Sequence, residues 1–240
     1  MKPIRRSAWS VIELLVVIAI MGLLTAVTLP AIKGVRDQAR NSTSRVYLRT
    51  HAQVFATYAN DSEGSLPFLT DASEEATFYE IGGYRTDMFV FTQYATWPIA
   101  LAERYYDGQA ESETFHPPSS ELVGPISEYW YSQSFVADSS FWIQESRQYS
   151  PSQLRGAAVH DVLFPSAKGL LFERDQAFGY FETESGSINT VLVDGSVQVP
   201  LAIDISKAYP GGVRGYLLGP IIGLPVMHTI GGVRGRDLGP

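Results

Sequence analysis

Side chains that could perform catalysis are few in this sequence of 240 residues, and they are scattered along it. There are four histidines and no cysteine, which excludes disulfides, thiolate catalysis and cysteine-ligated metal. His160 and Asp161 are adjacent and could form a dyad, although such a pair is more typical of a surface or a strand edge. No GxSxG, HExxH or phosphate-loop motif occurs. We therefore predict a protein that is not an enzyme, with no catalytic residues.

Carboxylates are concentrated in two stretches, Asp71–Glu75 and Glu111–Glu121. Carboxylate oxygens are the ligands that calcium prefers, but the spacing of an EF-hand is absent from both stretches. Acidic, solvated loops are the favoured interpretation. We predict no cofactor and no metal ligands, with structural calcium as the alternative.

Glu13 has the most informative surroundings of any acidic residue in the chain. It is the one charged residue between Val11 and Leu29, a segment of roughly 19 residues that would span about 28 Å as a helix. A carboxylate at the middle of a membrane span costs about 2.5–3.5 kcal/mol, and less near its edge. Two explanations stay open: Glu13 reaches the lipid headgroups, or it pairs with a cation when subunits pack together.

The apolar segment itself is interpreted as a membrane anchor. A secretory signal peptide is the alternative, but its apolar region is usually shorter and is followed by a cleavage site of small residues. Here Leu29-Pro30-Ala31 follows the segment, and the small residues Ser7-Ala8 precede it. Basic residues flank both ends, so the charge of the flanking loops does not decide the orientation.

Charge is unevenly distributed along the chain. Residues 1–60 carry about +6 and residues 61–240 about −13, which together give the net −7. An acidic domain repels phosphate backbones, so no nucleic-acid partner is expected.

The residues from Ala8 to Ile20, AWSVIELLVVIAI, resemble the prepilin peptidase motif of type IV pilins and type II secretion pseudopilins. The match continues without a gap to Pro30, although the family usually has Gly and Phe where this chain has Ala8 and Trp9. The resemblance implies cleavage between Ala8 and Trp9 by prepilin peptidase and N-methylation of Trp9. It further implies that Glu13, fifth in the processed chain, pairs with the terminal amine of a neighbouring subunit.

Pro30 is expected to loosen the helix, because it has no N–H to donate to the carbonyl of Ala26. Gly22, Thr25 and Thr28 would ease that loosening. A proline tolerated at the membrane exit is the alternative. Filaments of the resembled family often have extended backbone between the equivalents of Gly22 and Pro30, so the resemblance gives both residues a part in assembly.

A second resemblance lies downstream. Residues 58–67 are similar to the helix end of a bacterial pseudopilin subfamily in which a His is followed, after nine residues, by Asp-Gly. The Asp-Gly is present as Asp194-Gly195, whereas Glu184 occupies the position of the His. Valines alternate on both sides of Asp194-Gly195, which predicts a β-hairpin with a type I′ turn.

The predicted fold class is α+β: a long N-terminal helix, membrane-spanning in its first half, packed on a small antiparallel sheet, as in pilins. We expect this helix from about residue 10 to 60 and a short helix capped near Thr96, with Pro98 in its first turn. The other strand candidates are 87–94, 129–136, 141–145 and 168–173. The expected divisions are a leader (1–8), an assembly helix (9–30), an amphipathic helix (31–62), a globular domain (63–202) and a Gly-rich tail (203–240).

The tail contains an internal repeat, since residues 211–220 and 231–240 agree at eight of ten positions. Two copies do not make a solenoid, and structured turns or a contact surface are the two interpretations.

These observations predict a structural pseudopilin subunit of a type II secretion-like pseudopilus. It would lie in the inner membrane with its domain outside the cytoplasm, and its partners would be prepilin peptidase, other pilin or pseudopilin subunits and the assembly platform. A type IV pilus subunit, such as a minor pilin, for adhesion, motility or DNA uptake is one alternative. A membrane-anchored binding protein that never polymerises is the other.

Overall fold

The computed structural model describes residues 11–71, 77–81, 84–109, 111–122, 124, 126–176, 187–200, 213–215, 219–221 and 226–239. It separates into two compact units, Met1–Ser42 and Thr43–Pro240. We describe the second unit as the domain. A long helix and a small antiparallel sheet are both present, as the sequence predicts for the α+β class.

Helix α1 runs from Val11 to Asp61, close to the predicted bounds of 10 and 60. The residues after it stop the helix as expected, because Glu63 and Gly64 both have left-handed backbone, with φ of 54° and 86°. The amide of Gly64 donates to the carbonyl of Ala59 at 2.8 Å and closes the last turn. The part of α1 that belongs to the domain buries one face, formed by Ser44, Leu48, His51, Ala52, Phe55 and Ala59.

The main sheet of the domain has four antiparallel strands in the order in which they occur in the chain. A two-stranded hairpin precedes it and a second hairpin follows it. In chain order the strands are β1 (Thr77–Ile81), β2 (Tyr84–Met88), β3 (Tyr129–Tyr131), β4 (Gly169–Glu173), β5 (Thr190–Leu192), β6 (Val197–Gln198), β7 (Val213–Gly215) and β8 (Gly219–Ile221). The strand predicted at 168–173 is confirmed as β4.

The prediction of a strand at 87–94 is wrong beyond Met88. Residues 89–92 form a turn, in which the hydroxyl of Thr92 accepts a hydrogen bond from the amide of Phe89 at 2.8 Å. Helix α2 (Gln93–Tyr105) starts immediately afterwards. The short helix is therefore real, but it starts at Gln93, and Pro98 lies inside it rather than in its first turn.

Two further strand predictions fail in part or entirely. Only Tyr129–Tyr131 of the predicted 129–136 is a strand, since a 3-10 helix occupies Gln133–Phe135. The predicted strand at 141–145 is replaced by a 3-10 helix, Ser139–Trp142. Asp138 caps this helix by accepting from the amide of Ser140 at 3.0 Å, and this local bond outweighs the β-preference of the aromatic residues that follow.

The core of the domain is predominantly aromatic and lies between α1, α2 and the main sheet. Phe55 of α1 packs against Trp97 of α2 and Tyr131 of β3, with ring centroids 5.3 Å and 4.9 Å apart. The indole N–H of Trp97 donates to the carbonyl of Tyr129 at 2.9 Å, so the largest core side chain leaves no buried donor unpaired. These contacts join both helices to the sheet.

The C-terminal segment 226–239 packs into the domain. Val226 and Met227 are buried just before the second copy of the repeat, and Val233 and Asp237 are buried within it. The two copies differ in structure: Val213–Gly215 of the first is a strand, whereas Gly232–Arg234 of the second is a 3-10 helix. Sequence identity between the copies therefore does not give them a common fold.

Candidate assembly site

The first unit carries a long apolar surface that none of the described residues covers. Within α1 an 18-residue window reaches a mean hydropathy of 2.5, and none of that window is buried. By length and composition α1 is the one helix among the described residues that could cross a membrane. Its large exposed side chains include Val11, Ile12, Leu14, Leu15, Ile18, Ile20, Met21, Leu23, Leu24, Val27 and Leu29.

Glu13 lies near the start of the described part of α1, which begins at Val11. Its side chain is exposed. Between Val11 and Lys33, Glu13 is the one charged residue, so it marks one end of an otherwise apolar stretch of the helix.

Gly22 and Pro30 lie further along the same helix, and α1 continues through both. No heavy atom comes within 4 Å of a β-carbon built on Gly22, so the glycine is not required by packing within the chain. The hydroxyl of Thr25 donates to the carbonyl of Met21 at 2.7 Å and that of Thr28 to the carbonyl of Thr25 at 3.2 Å. The predicted loosening at Pro30 thus does not interrupt the helix of the single chain.

The predicted processing residues, Ala8 and Trp9, lie outside the described residues, as does Glu184 of the downstream motif. Asp194 and Gly195 belong to the domain and are therefore not part of the same unit as Glu13, Gly22 and Pro30.

Asp194 and Gly195 form the connection between β5 and β6, as predicted, but the turn is not type I′. Leu192 and Ser196 pair across a three-residue loop, in which Gly195 alone has positive φ, at 81°. A type I′ turn would need positive φ at two adjacent residues. The carboxylate of Asp194 accepts from the amide and the hydroxyl of Ser196, at 2.9 Å and 2.7 Å, and so rigidifies the loop.

The domain holds α1 through a buried chain of hydrogen bonds at Ser44. The phenol of Tyr129 donates to the hydroxyl of Ser44 at 2.9 Å, and Ser44 donates to the carboxylate of Glu173 at 2.7 Å. The amide of Asn189 donates to the same carboxylate oxygen at 3.0 Å. Burial raises the pKa of Glu173, while the hydrogen bonds from Asn189 and Ser44 oppose that rise.

A second buried carboxylate lies at the neighbouring strand end. Glu128 pairs with His116 at 3.0 Å and with the guanidinium of Arg174 at 2.8 Å. The other ring nitrogen of His116 is 3.1 Å from the carbonyl of Gly124. These two contacts let His116 fasten Gly124 to Glu128, next to the start of β3.

A buried ion pair fixes the C-terminal segment. Lys168 is fully buried, and its ammonium group lies 3.1 Å from the carboxylate of Asp237. Asp237 also accepts from the amide of Gly169 at 2.8 Å, and Thr229 bonds to both members of the pair. Burial lowers the pKa of Lys168, and Asp237 opposes that effect. The sequence contains no local signal for this pair, because Lys168 and Asp237 are far apart in the chain.

The catalytic candidates are not assembled into a site. His160 and Asp161 lie in a 3-10 helix, where His160 is exposed and Asp161 accepts from the amide of Ala158 at 3.2 Å. Within the described ranges, no three His, Asp or Glu side chains are placed to hold a metal ion together. Among the described residues, the exposed helix is therefore a stronger candidate for a functional site than any of the possible catalytic side chains.

Comparison with known proteins adds no assignment: no family model, no curated protein and no solved structure matches this chain.

Proposed function

We propose that this chain is a structural pseudopilin subunit of a type II secretion-like pseudopilus. In this proposal prepilin peptidase cuts between Ala8 and Trp9, and the exposed apolar helix moves from the membrane into a bundle of equivalent helices. The pilin-like arrangement, the position of the domain outside the cytoplasm and the assembly partners are all parts of the proposal.

One observation carries it: residues 11–32 of α1 expose a continuous apolar surface whose single charge is Glu13. A helix that is apolar on all sides and uncovered by its own chain needs lipid or other helices around it. A lipid anchor alone would not require an acid in its first turns. A carboxylate there is explained if an adjacent copy supplies its terminal amine, because an ion pair is strong where water is excluded.

The helix need not unwind before assembly to satisfy this proposal. Pro30 leaves the carbonyl of Ala26 without its usual donor, and Gly22 has no packing partner within the chain. Both features lower the cost of extending the backbone between them once helices pack closely. Assembly would then select the extended form.

The test compares Glu13→Ala with Asp37→Ala, which removes another exposed acid from the same helix. The two variants and the unchanged chain are expressed with a matching assembly system, and sheared filaments are quantified by immunoblotting. We expect Glu13→Ala to abolish incorporation and Asp37→Ala to retain it. Mass spectrometry of the membrane-extracted protein should show a form that begins at an N-methylated Trp9.

Three results would contradict the proposal. Met1 still attached, with no shortened form, would show that the peptidase does not process the chain. Normal incorporation of Glu13→Ala would show that its carboxylate has no part in assembly, and unchanged membrane retention without any filament would favour an anchored binding protein.

A further inference from the structure

Three basic residues form a stripe on α1 just beyond the apolar segment. Lys33, Arg36 and Arg40 are spaced by three and four residues, which places them within about 60° of one another and about 10 Å apart along the helix axis. All three are exposed, and none belongs to an ion pair found among the described residues. Asp37 lies on the same side, so this basic stripe has a net charge of about +2.

A cleft in the domain has the complementary charge. It has a volume of about 570 Å³ and opens between Tyr47 and the loop 111–124. Three exposed glutamates line it, Glu111, Glu113 and Glu121, and its described lining includes no lysine or arginine. We call this region the acidic cleft.

The histidine in the described lining of the cleft already has partners. His116 forms part of the lining, but its ring nitrogens bond to Glu128 and to the carbonyl of Gly124. Neither Glu113 nor Glu121 forms an ion pair within the described part of the chain. These two carboxylates are therefore available to a cation from another molecule.

The size of the acidic cleft limits what can enter it. A cube of equal volume has an edge of about 8 Å, which is narrower than the 10–12 Å of a helix with its side chains. Long side chains can enter while their helix lies across the opening. The walls suit them, because Pro117, Pro118 and Leu122 offer apolar contact to the stems of arginine.

We propose that the basic stripe of one copy docks across the acidic cleft of a second copy, with Arg36 and Arg40 paired to Glu113 and Glu121. The proposal rests on the proposed function, since it needs copies held side by side. Each chain carries both surfaces at different places, so the contact is head-to-tail and can continue from copy to copy. Such a contact would set the orientation of the domains, whereas the pairing of Glu13 would set the positions of the helices relative to one another.

Cross-linking can test this contact directly, because the chain has no cysteine. Asp37→Cys places a thiol in the basic stripe and Ser120→Cys places one on the lining of the acidic cleft. A chain with both substitutions is treated in intact membranes with a short bismaleimide, and immunoblotting should show dimers and higher multimers. Each single-cysteine chain should give no multimers beyond a dimer.

Charge reversal then tests the pairing within the two-cysteine chain. Arg36→Glu with Arg40→Glu, or Glu113→Lys with Glu121→Lys, should lower the cross-linked fraction about tenfold, because like charges then face each other. Combining both pairs of reversals should restore it to within about twofold of the original value. Arg49→Glu is the matched control, since it reverses an exposed charge about 140° around the helix from Arg36 and should have no effect.

The outcomes separate this inference from the proposed function. Filaments that form normally without the cross-link, or with a cross-link insensitive to charge reversal, overturn the inference and leave the proposed function standing. A charge-sensitive cross-link in chains that keep Glu13 but form no filaments in the matching assembly system supports the contact and contradicts the proposed function. If reversing Arg36 and Arg40 weakens binding to anionic vesicles but not the cross-link, lipid headgroups are the partner and the inference is wrong.

Discussion

Acidification below about pH 6.5 should destabilise the domain progressively, because two histidines are buried in their neutral form. His51 lies in α1, with one ring nitrogen 2.8 Å from the phenol of Tyr106 and the other 2.7 Å from the carbonyl of Thr114. That carbonyl can only accept, so Nε2 carries the proton and Nδ1 accepts from the phenol. Protonation of Nδ1 would remove the acceptor to which the Tyr106 hydroxyl donates. It would also place a positive charge among the buried rings of Trp97 and Tyr129.

The magnitude follows from the two pKa values. Burial lowers the pKa of His51 from 6.5 to about 4, with a smaller opposing effect from the Thr114 carbonyl. Burial, with help from Arg147, lowers the pKa of His228 to about 3. Since both values fall below that of the unfolded chain, the stabilisation is complete above pH 6.5 and is lost as the pH falls. Each histidine should cost about 3 kcal/mol by pH 4, so together they remove a large part of a typical domain stability.

Urea denaturation of the full chain in detergent can measure this effect. Trp97 and Trp142 are fully buried, and the Trp97 ring lies 5.1 Å from that of His51, so tryptophan fluorescence reports the loss of this core. Between pH 6 and pH 5 the folding equilibrium should weaken about tenfold for each buried histidine. His51→Gln should halve the slope on a free-energy scale, even if it lowers the stability at pH 7.5.

His160→Gln is the matched control, because it replaces an exposed histidine of the same domain. It should reproduce the pH dependence of the unchanged chain. A free energy of unfolding that stays flat from pH 7.5 to pH 5 would refute the reasoning, since it would mean that His51 and His228 bind protons equally well when folded. An unaltered slope in His51→Gln would refute the assignment to His51.

Two further predictions concern packing and the buried ion pair. Phe55→Ala should lower the free energy of unfolding by about 3–5 kcal/mol, because Phe55 is fully buried between Trp97 and Tyr131. Val46→Ala, on the exposed side of α1, should change it by less than about 0.5 kcal/mol. The urea midpoints of the two variants at pH 7.5 test this difference, and equal losses of stability would contradict the packing of Phe55. Lys168→Met should lower the free energy of unfolding by about 3–5 kcal/mol, because it leaves Asp237 buried without its cation, and adding Asp237→Leu should recover part of that loss. A double-mutant cycle measures the recovery, and purely additive losses of stability would contradict a direct pairing of the two side chains.

The sequence predicts α1 well because its signals are long and mutually consistent. About fifty residues with Pro30 as the one strong breaker, ended by Asn60 to Gly64, leave few alternatives. The hairpin of β5 and β6 is equally local, since Asp194-Gly195 lies between alternating valines. The error there concerns only the turn type, because a type I′ turn and the observed three-residue loop both favour glycine with positive φ.

The strand errors have a different origin. Phe141-Trp142 and Phe89-Val90-Phe91 have the composition of buried strands, yet both lie in turns or 3-10 structure. Burial explains the apolar composition of both segments, but burial does not determine whether their backbone forms a strand, a turn or a 3-10 helix. The hydrogen bonds that Asp138 and Thr92 accept from the amides of Ser140 and Phe89 decide it, and a window of hydrophobicity does not detect such side-chain bonds.

The polar contacts that hold the domain together were not predictable at all. Ser44 and Glu173 are separated by 129 positions, so no spacing links them. Glu173 looked like an ordinary acid after a strand, whereas in the fold it is almost completely buried. The only local signal was the place of Asn189 at the start of the downstream motif.

The Ser44 network explains why the seam between α1 and the sheet is not wholly apolar. Leu48 and Phe55 could pack against aromatic neighbours in more than one register, because apolar contact is not directional. Moving α1 by a single residue would take the Ser44 hydroxyl away from both Tyr129 and Glu173, leaving a buried carboxylate short of a donor. The network therefore fixes the axial position of the helix in the domain. In the proposed subunit this matters, because a force along α1 during assembly would be transmitted to the domain at Ser44 without slippage.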